Sequence, residues 1–395
     1  MLPIRSGAVC PGETLLHIPD PYLGSATCAA MGAAMVPFWA VAARRARVAA
    51  PARMPLLGVT AAFCFLVMMF NAPAPGGTTV HAVGGTLAAV LLGPGDACLA
   101  LSAALFIQAL VFGDGGVLAY GANCFNLAVV VPGLGFLLFR GLRRRLGDLA
   151  ALGVAAYLAL ALGALCAGVE LGLQPILARD GAGLPLNCPY PLAVTVPGMV
   201  LPHLLVGGWV EAGFTVAVYA FLRRVAPDRL PAGPMARADA GFGLLAALAA
   251  LCPLGLLARG SAWGEWNPRE LLHTTWGGQP LAALPAGLAR GPVLAAPLPG
   301  YLLPGLPAWL GYLLSAVAGA AALTIAWKLL GLARQAAKAR PCPHPDCPPG
   351  CSGPNRTGRP RAGMPSWTGA WPPSWASWPA SGPGRPGRGP GPIRR

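Results

Sequence analysis

Read for apolar and polar positions, the chain is a series of long apolar runs separated by short polar breaks. Runs over 26–43, 54–71, 79–92, 97–112, 117–139, 149–173, 191–222, 240–258 and 308–329 lack the period-two alternation of a barrel strand. Several approach the ~20 residues that an α-helix needs to cross about 30 Å of hydrocarbon. The pattern therefore predicts an all-α, polytopic transmembrane helical bundle of about 8–9 membrane segments. The pair 79–92 and 97–112 is short, and reads either as two short helices or as a re-entrant element lining a cavity. After about residue 340 aliphatic periodicity stops. Residues 341–395 are rich in Pro, Gly, Arg, Ser and Trp, a composition that cannot build a packed core. They read either as a disordered cytoplasmic tail or as translation past a frameshift.

Composition supports this reading. Of 395 residues, 55% are hydrophobic and 10% charged, against about a quarter charged in a soluble domain. The net charge of +15 does not point to nucleic acid, because the basic residues lie in short breaks between apolar runs. Arg44, Arg45, Arg47 and Arg53 follow the first run, and Arg140, Arg143, Arg144 and Arg145 the fifth. Arg223, Arg224 and Arg229 follow the seventh, and Lys328, Arg334 and Lys338 lie at the last. The positive-inside rule makes these breaks cytoplasmic. The N-terminus, 72–78, 113–116, 174–190 and 259–307 are then external. Six of the 11 cysteines (Cys28, Cys64, Cys98, Cys124, Cys166 and Cys252) sit in apolar runs as small hydrophobes. Trp263, Trp266 and Trp276 read as interfacial anchors.

Five histidines are present: His17, His81, His203, His273 and His344. Imidazole suits borderline divalent ions such as Ni²⁺ and Co²⁺. The predicted topology places His17 and His81 both at the external side, where they could share a cation or each make an ordinary hydrogen bond. Asp20 reads as a cap of the first helix or as a partner orienting the His17 ring. Asn123 and Asn126, near the outer end of a span, either hold a metal loop or join helices. His203 and Glu211 lie two turns apart on one helix face and are assigned to packing or coupling, with His203 expected at a different level from His81. Cys342, His344, Cys347 and Cys351 have an irregular spacing for zinc.

Several ordered motifs then carry a family resemblance. His17-Ile18-Pro19-Asp20-Pro21-Tyr22-Leu23 resembles the Met-His-Ile-Pro-Asp-Gly start of the CbiM/NikM proteins. The Gly77-Thr78-Thr79-Val80-His81 segment, Gly121-Ala122-Asn123-Cys124-Phe125-Asn126 and His203 through Ala212 continue the resemblance. Trp263-Gly264-Glu265-Trp266 and Gly311-Tyr312-Leu313-Leu314-Ser315-Ala316 resemble an extended form of that family. The resemblance covers about residues 17–330. It implies the substrate-capture membrane subunit of an energy-coupling factor importer, binding Co²⁺ or Ni²⁺ externally as transported substrate, with no cofactor of its own. It further implies cytoplasmic ATPase subunits and a transmembrane coupling subunit as partners. A small CbiN/NikN-like membrane protein is expected to be replaced by the C-terminal extension. The expected place is the bacterial inner (plasma) membrane, multi-pass in lipid, N-terminus external. The extended form leans slightly toward cobalt.

In that family four nitrogens hold the ion: the terminal amine, the second residue's backbone nitrogen and imidazole, and a second imidazole. Carried over, the imidazoles are His17 and His81, supported by Leu16, Asp20, Thr78, Asn123 and Asn126. This sequence departs from the pattern, because sixteen residues precede His17. The expectation is that translation starts at Leu16, read as Met. The alternative is that a peptidase removes 1–15 or 1–16, a segment without a recognisable processing signal. The expected organisation is an N-terminal extension (1–16), a core with the metal site (17–230), an extension with an external loop and one or two further helices (231–335), and a tail (336–395). No phosphate-loop motif is present, so the chain reads as a transporter subunit and not an enzyme. An enzyme built on His203, Glu211 or Glu265 lacks a matched nucleophile and base, and Glu265 and His203 are expected on different sides of several spans. The remaining alternatives are capture of a non-metal small molecule such as a vitamin, in which loss of His81 leaves uptake intact, and a non-functional copy.

Overall fold

The computed structural model describes residues 17–48, 53–225, 238–258, 260–266, 268–275 and 280–339, all within the unit Met1–Arg340. Leu16 and segment 1–16, Trp276, and the tail with Cys342, His344, Cys347 and Cys351 lie outside the described residues. The elements, in chain order, are α1 (Ser25–Val48) and α2 (Met54–Met68); β1 (Asn71–Ala74), β2 (Thr78–His81) and α3 (Gly85–Leu92); α4 (Pro94–Phe112), α5 (Tyr120–Leu146), α6 (Asp148–Leu177) and α7 (Leu192–Val225); and α8 (Ala238–Leu251), α9 (Pro268–His273) and α10 (Ala308–Ala339).

Six helices are long and apolar enough to cross a membrane, in α1, α4, α5, α6, α7 and α10. Two shorter apolar helices, Met54–Met68 and Gly241–Leu257, accompany them. Their outward faces are apolar. On α10, Tyr312, Ala316, Ala320 and Leu323 are buried while Val317, Ile325, Leu329 and Leu332 are exposed. Water would penalise such a surface and lipid does not. The predicted polytopic helical bundle is what forms.

Small residues permit its close packing. A side chain at Gly319 of α10 would overlap the Phe65 ring of α2, and one at Gly121 of α5 would meet the α1 backbone at Gly32. α2 is the central helix, with Leu57 through Met69 almost wholly buried.

Segment 79–92 differs from a simple pair of helices. β1 and β2 form an antiparallel hairpin with Asn71 opposite His81, and an eight-residue helix follows. Gly76 and Gly77, at φ 91° and 76°, make the turn. The ladder satisfies backbone groups that would otherwise need helix or water. This hairpin gives His81 a rigid strand to sit on.

Contacts sort the breaks to two ends of the bundle. At one end Arg53 pairs with Asp96 at 3.5 Å and Arg334 reaches the Ala46 carbonyl at 3.4 Å. At the other, residues 17–23 meet 113–119, the hairpin meets Ser261 and Tyr22 meets Trp266.

Candidate metal centre

His17 begins the described chain, in an extended segment ahead of the turn Asp20–Tyr22. Its loop is tied down residue by residue. Ile18 N–H donates to Asn123 Oδ1 and Asn123 Nδ2 donates back to Ile18 O, both at 3.1 Å. Gly116 N–H also donates to Ile18 O, at 2.9 Å. Asp20 Oδ1 accepts from Leu118 N–H at 2.6 Å and Ala119 N–H at 3.3 Å. Asp20 thus holds the two residues just ahead of α5. Contrary to expectation, its hydrogen bonds go neither to the first helix nor to the His17 ring, whose partner is Asp114. The fit is close: a Cβ at Gly115 would lie 2.8 Å from His17 Cβ, and one at Gly116 would overlap Asp20.

The His17 ring is 3% exposed. Its Nδ1–H donates to Asp114 Oδ1 at 2.9 Å, and its Nε2 has no hydrogen-bond partner among the described residues. His81 stands edge-on to it, ring centroids 5.2 Å apart and planes at 67°. His81 Nδ1–H donates to the Ala82 carbonyl at 3.0 Å, which puts the lone pair on Nε2. Burial pushes the His81 imidazole down to about 4, the neighbouring His17 adding to the effect and the Ala82 carbonyl opposing it. It is therefore neutral, the form in which imidazole binds metal.

Both rings line a cavity of about 60 Å³, room for an ion and a few waters. Asn123, Asn126, Thr78, His203, Trp263 and Glu265 also line it. Among the described residues no group of three or more His, Cys, Asp or Glu side chains is placed to hold a metal ion. His17 and His81 are the imidazole pair placed close together, and among the described residues no third His, Cys, Asp or Glu completes such a group with them.

The other expected residues fall around this core. Asn126 donates to Glu170 Oε2 at 2.9 Å and leaves its own Oδ1 unpartnered. The Thr78 hydroxyl reaches the Ser261 carbonyl at 3.4 Å, joining the hairpin to the extension. Glu211 is fully buried. Its Oε2 accepts from Val83 N–H at 2.7 Å and Gly84 N–H at 3.0 Å, fixing the turn that follows His81.

Three further expectations are corrected. His203, which bonds the Met199 carbonyl through Nδ1–H at 2.7 Å, lines the same cavity as His81 and not a different level. Its helix passes the hairpin there, at the π-turn His203–Gly207. Glu265 lines that cavity too, so it and His203 are not on different sides of the spans. Trp263 is 3% exposed, packed against Tyr190 and Trp266, and no interfacial anchor. Residues 262–265 fold back over the site and line its cavity.

Asp114 was missed by sequence reasoning. Its signal was an acidic residue in Gly113-Asp114-Gly115-Gly116 between two spans. Its Oδ2 accepts from the Tyr301 hydroxyl at 2.5 Å and Gln108 Nε2 at 3.3 Å. Burial, then the Asp114 charge, pushes the Tyr301 phenol well above its ordinary value, so it remains an O–H donor.

Comparison with known proteins identifies the family of the chain. The model of the family described as "Cobalt uptake substrate-specific transmembrane region" (CbiM) matches residues 17–229, and that of the PDGLE domain matches 237–335. A probable fused nickel transport protein, LarMN, of Lactiplantibacillus plantarum is 48% identical over 76% of this chain and 93% of its own. The fused nickel transport protein NikMN of Rhodobacter capsulatus is 45% identical over 78% of this chain and 94% of its own. A crystal structure titled as a truncated transition metal transporter superposes with a TM-score of 0.51 at 46% identity, covering 53% of this chain and 99% of that one. The matches take in the loop of His17, the hairpin of His81 and the segment that folds over them. This chain is a multi-pass membrane protein of transition-metal uptake: it belongs to the CbiM family and carries a PDGLE domain in the same polypeptide.

Proposed function

We propose that the chain is the substrate-capture subunit of an ATP-driven Ni²⁺ or Co²⁺ importer, with His17 and His81 supplying the two imidazoles that hold the ion. The observation that carries this reading is the pair of buried rings 5.2 Å apart across a cavity of ion size. The remaining donors are the His17 backbone nitrogen and the nitrogen before it, which becomes a terminal amine if the working protein starts at Leu16, read as Met. Amine, amide and imidazole then form fused chelate rings in one plane, which Ni²⁺ accepts. A six-membered ring with the residue's own amide uses His17 Nδ1. Asp114 holds that nitrogen in the present structure, and Nε2 is bare. A half-turn of the ring about Cβ–Cγ does not exchange the two, since it trades Nδ1 for Cδ2 and Nε2 for Cε1. Ligation through Nε2 leaves the Asp114 bond in place, whereas a chelate through Nδ1 displaces it. With Nε2 as the ligand, the carboxylate serves the ring nitrogen that the ion does not use.

The fused relatives are named for nickel and the family description for cobalt, so both ions are read as substrates. The arginine-rich breaks support a cytoplasmic end opposite the site, which makes the site and N-terminus external in a bacterial inner membrane. Energy then comes from separate ATPase subunits through a transmembrane coupling subunit, and the PDGLE domain takes the place of a separate small CbiN/NikN-like protein.

The test is Ni²⁺ and Co²⁺ titration of the purified full chain, the form beginning Met-His17, and His81→Ala in each. Tight binding by the shorter form, lost in His81→Ala, is the expected result. Equal binding by both forms removes the terminal amine from the site, and binding by neither overturns metal capture. Vitamin capture would instead leave uptake by His81→Ala cells intact.

A further inference from the structure

Tyr301 combines features that packing alone does not require. It sits at φ 63°, a left-handed conformation that an aromatic residue rarely adopts. It is wholly buried, stacked on Phe112 with ring centroids 4.7 Å apart and edge-on to Tyr312 at 5.4 Å. Its carbonyl accepts from the Ser315 hydroxyl at 2.9 Å, and Leu298 N–H bonds the Val111 carbonyl at 2.9 Å. Phenylalanine would satisfy all of those ring and backbone contacts. The hydroxyl alone reaches outside the aromatic cluster, 2.5 Å from Asp114 Oδ2, while Gln108 Nε2 donates to both the phenol oxygen (2.9 Å) and that carboxylate oxygen (3.3 Å).

The consequence runs one bond further. Asp114 has two oxygens and divides them: Oδ1 takes the His17 ring and Oδ2 takes Tyr301 and Gln108. With Oδ2 anchored, the carboxylate plane is fixed, and with it the direction from which Oδ1 meets the imidazole. Without the hydroxyl, Oδ2 loses the shorter of these two contacts and keeps the Gln108 amide at 3.3 Å. The segment carrying Tyr301 lies in the PDGLE domain, about 190 positions from the residue it steadies.

We propose that Tyr301 is a positioning residue of the metal site, through which the PDGLE domain sets the orientation and basicity of the His17 imidazole by way of Asp114. This rests on His17 being a ligand, as proposed above, and on its using Nε2, the mode that keeps Asp114 on Nδ1. A carboxylate on the second nitrogen of a ligating histidine fixes its ring and tautomer, and losing such a partner lowers metal affinity about 10–100-fold. The fused domain is therefore part of the site's construction as well as an added membrane helix.

The experiment is a double-mutant cycle on Ni²⁺ affinity, read by competition with a chelator, in the full chain and in the form beginning Met-His17. Tyr301→Phe keeps the ring stack and deletes the hydrogen bond. It is expected to weaken Ni²⁺ binding about tenfold in the native background and less than about twofold beside Asp114→Asn, with a shifted Ni²⁺ absorption spectrum in the first case only. Unchanged affinity in Tyr301→Phe overturns the proposal. So does an equal loss in both backgrounds, which is the mark of general destabilisation. If the native protein binds no Ni²⁺ in either form, the metal reading itself falls and takes this inference with it.

Discussion

Replacing Asn123 by alanine removes the two bonds that clamp Ile18, the residue after His17. They are unequal in consequence. The Ile18 carbonyl keeps a second donor in Gly116 N–H at 2.9 Å, so its loss is partly covered. The Ile18 N–H has Asn123 Oδ1 as its acceptor and sits in a 6% exposed residue. A buried donor left without a partner costs about 1–3 kcal/mol. If the loop must hold this shape for His17 to meet the ion, that cost falls on binding. At about 1.4 kcal/mol per decade, Ni²⁺ affinity should drop roughly 5- to 150-fold. Asn123→Asp separates the two bonds: it retains an acceptor for the N–H but turns a second oxygen against the Ile18 carbonyl. It should also bind weakly. The assay is Ni²⁺ competition titration of the form beginning Met-His17, with thermal unfolding in detergent alongside. Affinity of Asn123→Ala within twofold of the parent, with an unchanged melting temperature, would refute the reasoning that this clamp shapes the site.

Two further outcomes follow from the same geometry. Glu211→Ala strips the acceptor from Val83 and Gly84 N–H, each bond contributing about 0.5–1.5 kcal/mol. It should lower the melting temperature and abolish Ni²⁺ binding, while Glu211→Gln, which retains an acceptor oxygen, should lose far less of both. For His81, a folded-state value near 4 against an ordinary 6.5 means that the unfolded chain binds the extra proton between those limits. The contribution is fully present above pH 6.5 and lost as pH falls through about 4, on the order of 3 kcal/mol in all. Unfolding of the metal-free protein at pH 7.5 and 4.5 should show this loss, and His81→Leu should flatten it; an equal slope in both proteins would refute the burial argument.

What the sequence determined by itself follows from local rules. Lipid is an apolar solvent, so a spanning helix shows its length and composition in one continuous stretch of residues, whatever lies beside it. That made the bundle legible, and arginine clusters in the breaks made its two ends distinguishable. The residues of the cavity's centre were legible for another reason: His17, His81, Asn123 and Asn126 lie in short motifs whose order along the chain carried a family resemblance. The hairpin was harder to see, because its strands are four residues each, too short for a clear period, and Gly76-Gly77 is its turn signal.

The tertiary structure alone decided who meets whom. Asp114 reads as an ordinary loop acid until the fold brings it against His17, 97 positions away, and Tyr301, 187 positions away. Trp263 has the composition of an interfacial anchor, yet it is buried because the segment carrying it folds over the cavity. His203 and Glu265 become neighbours of one cavity for the same reason. Such contacts have no period and no spacing in the chain. They arise because burying a polar group is costly unless a partner meets it, and the partner is supplied by whichever helix or loop the packing places there.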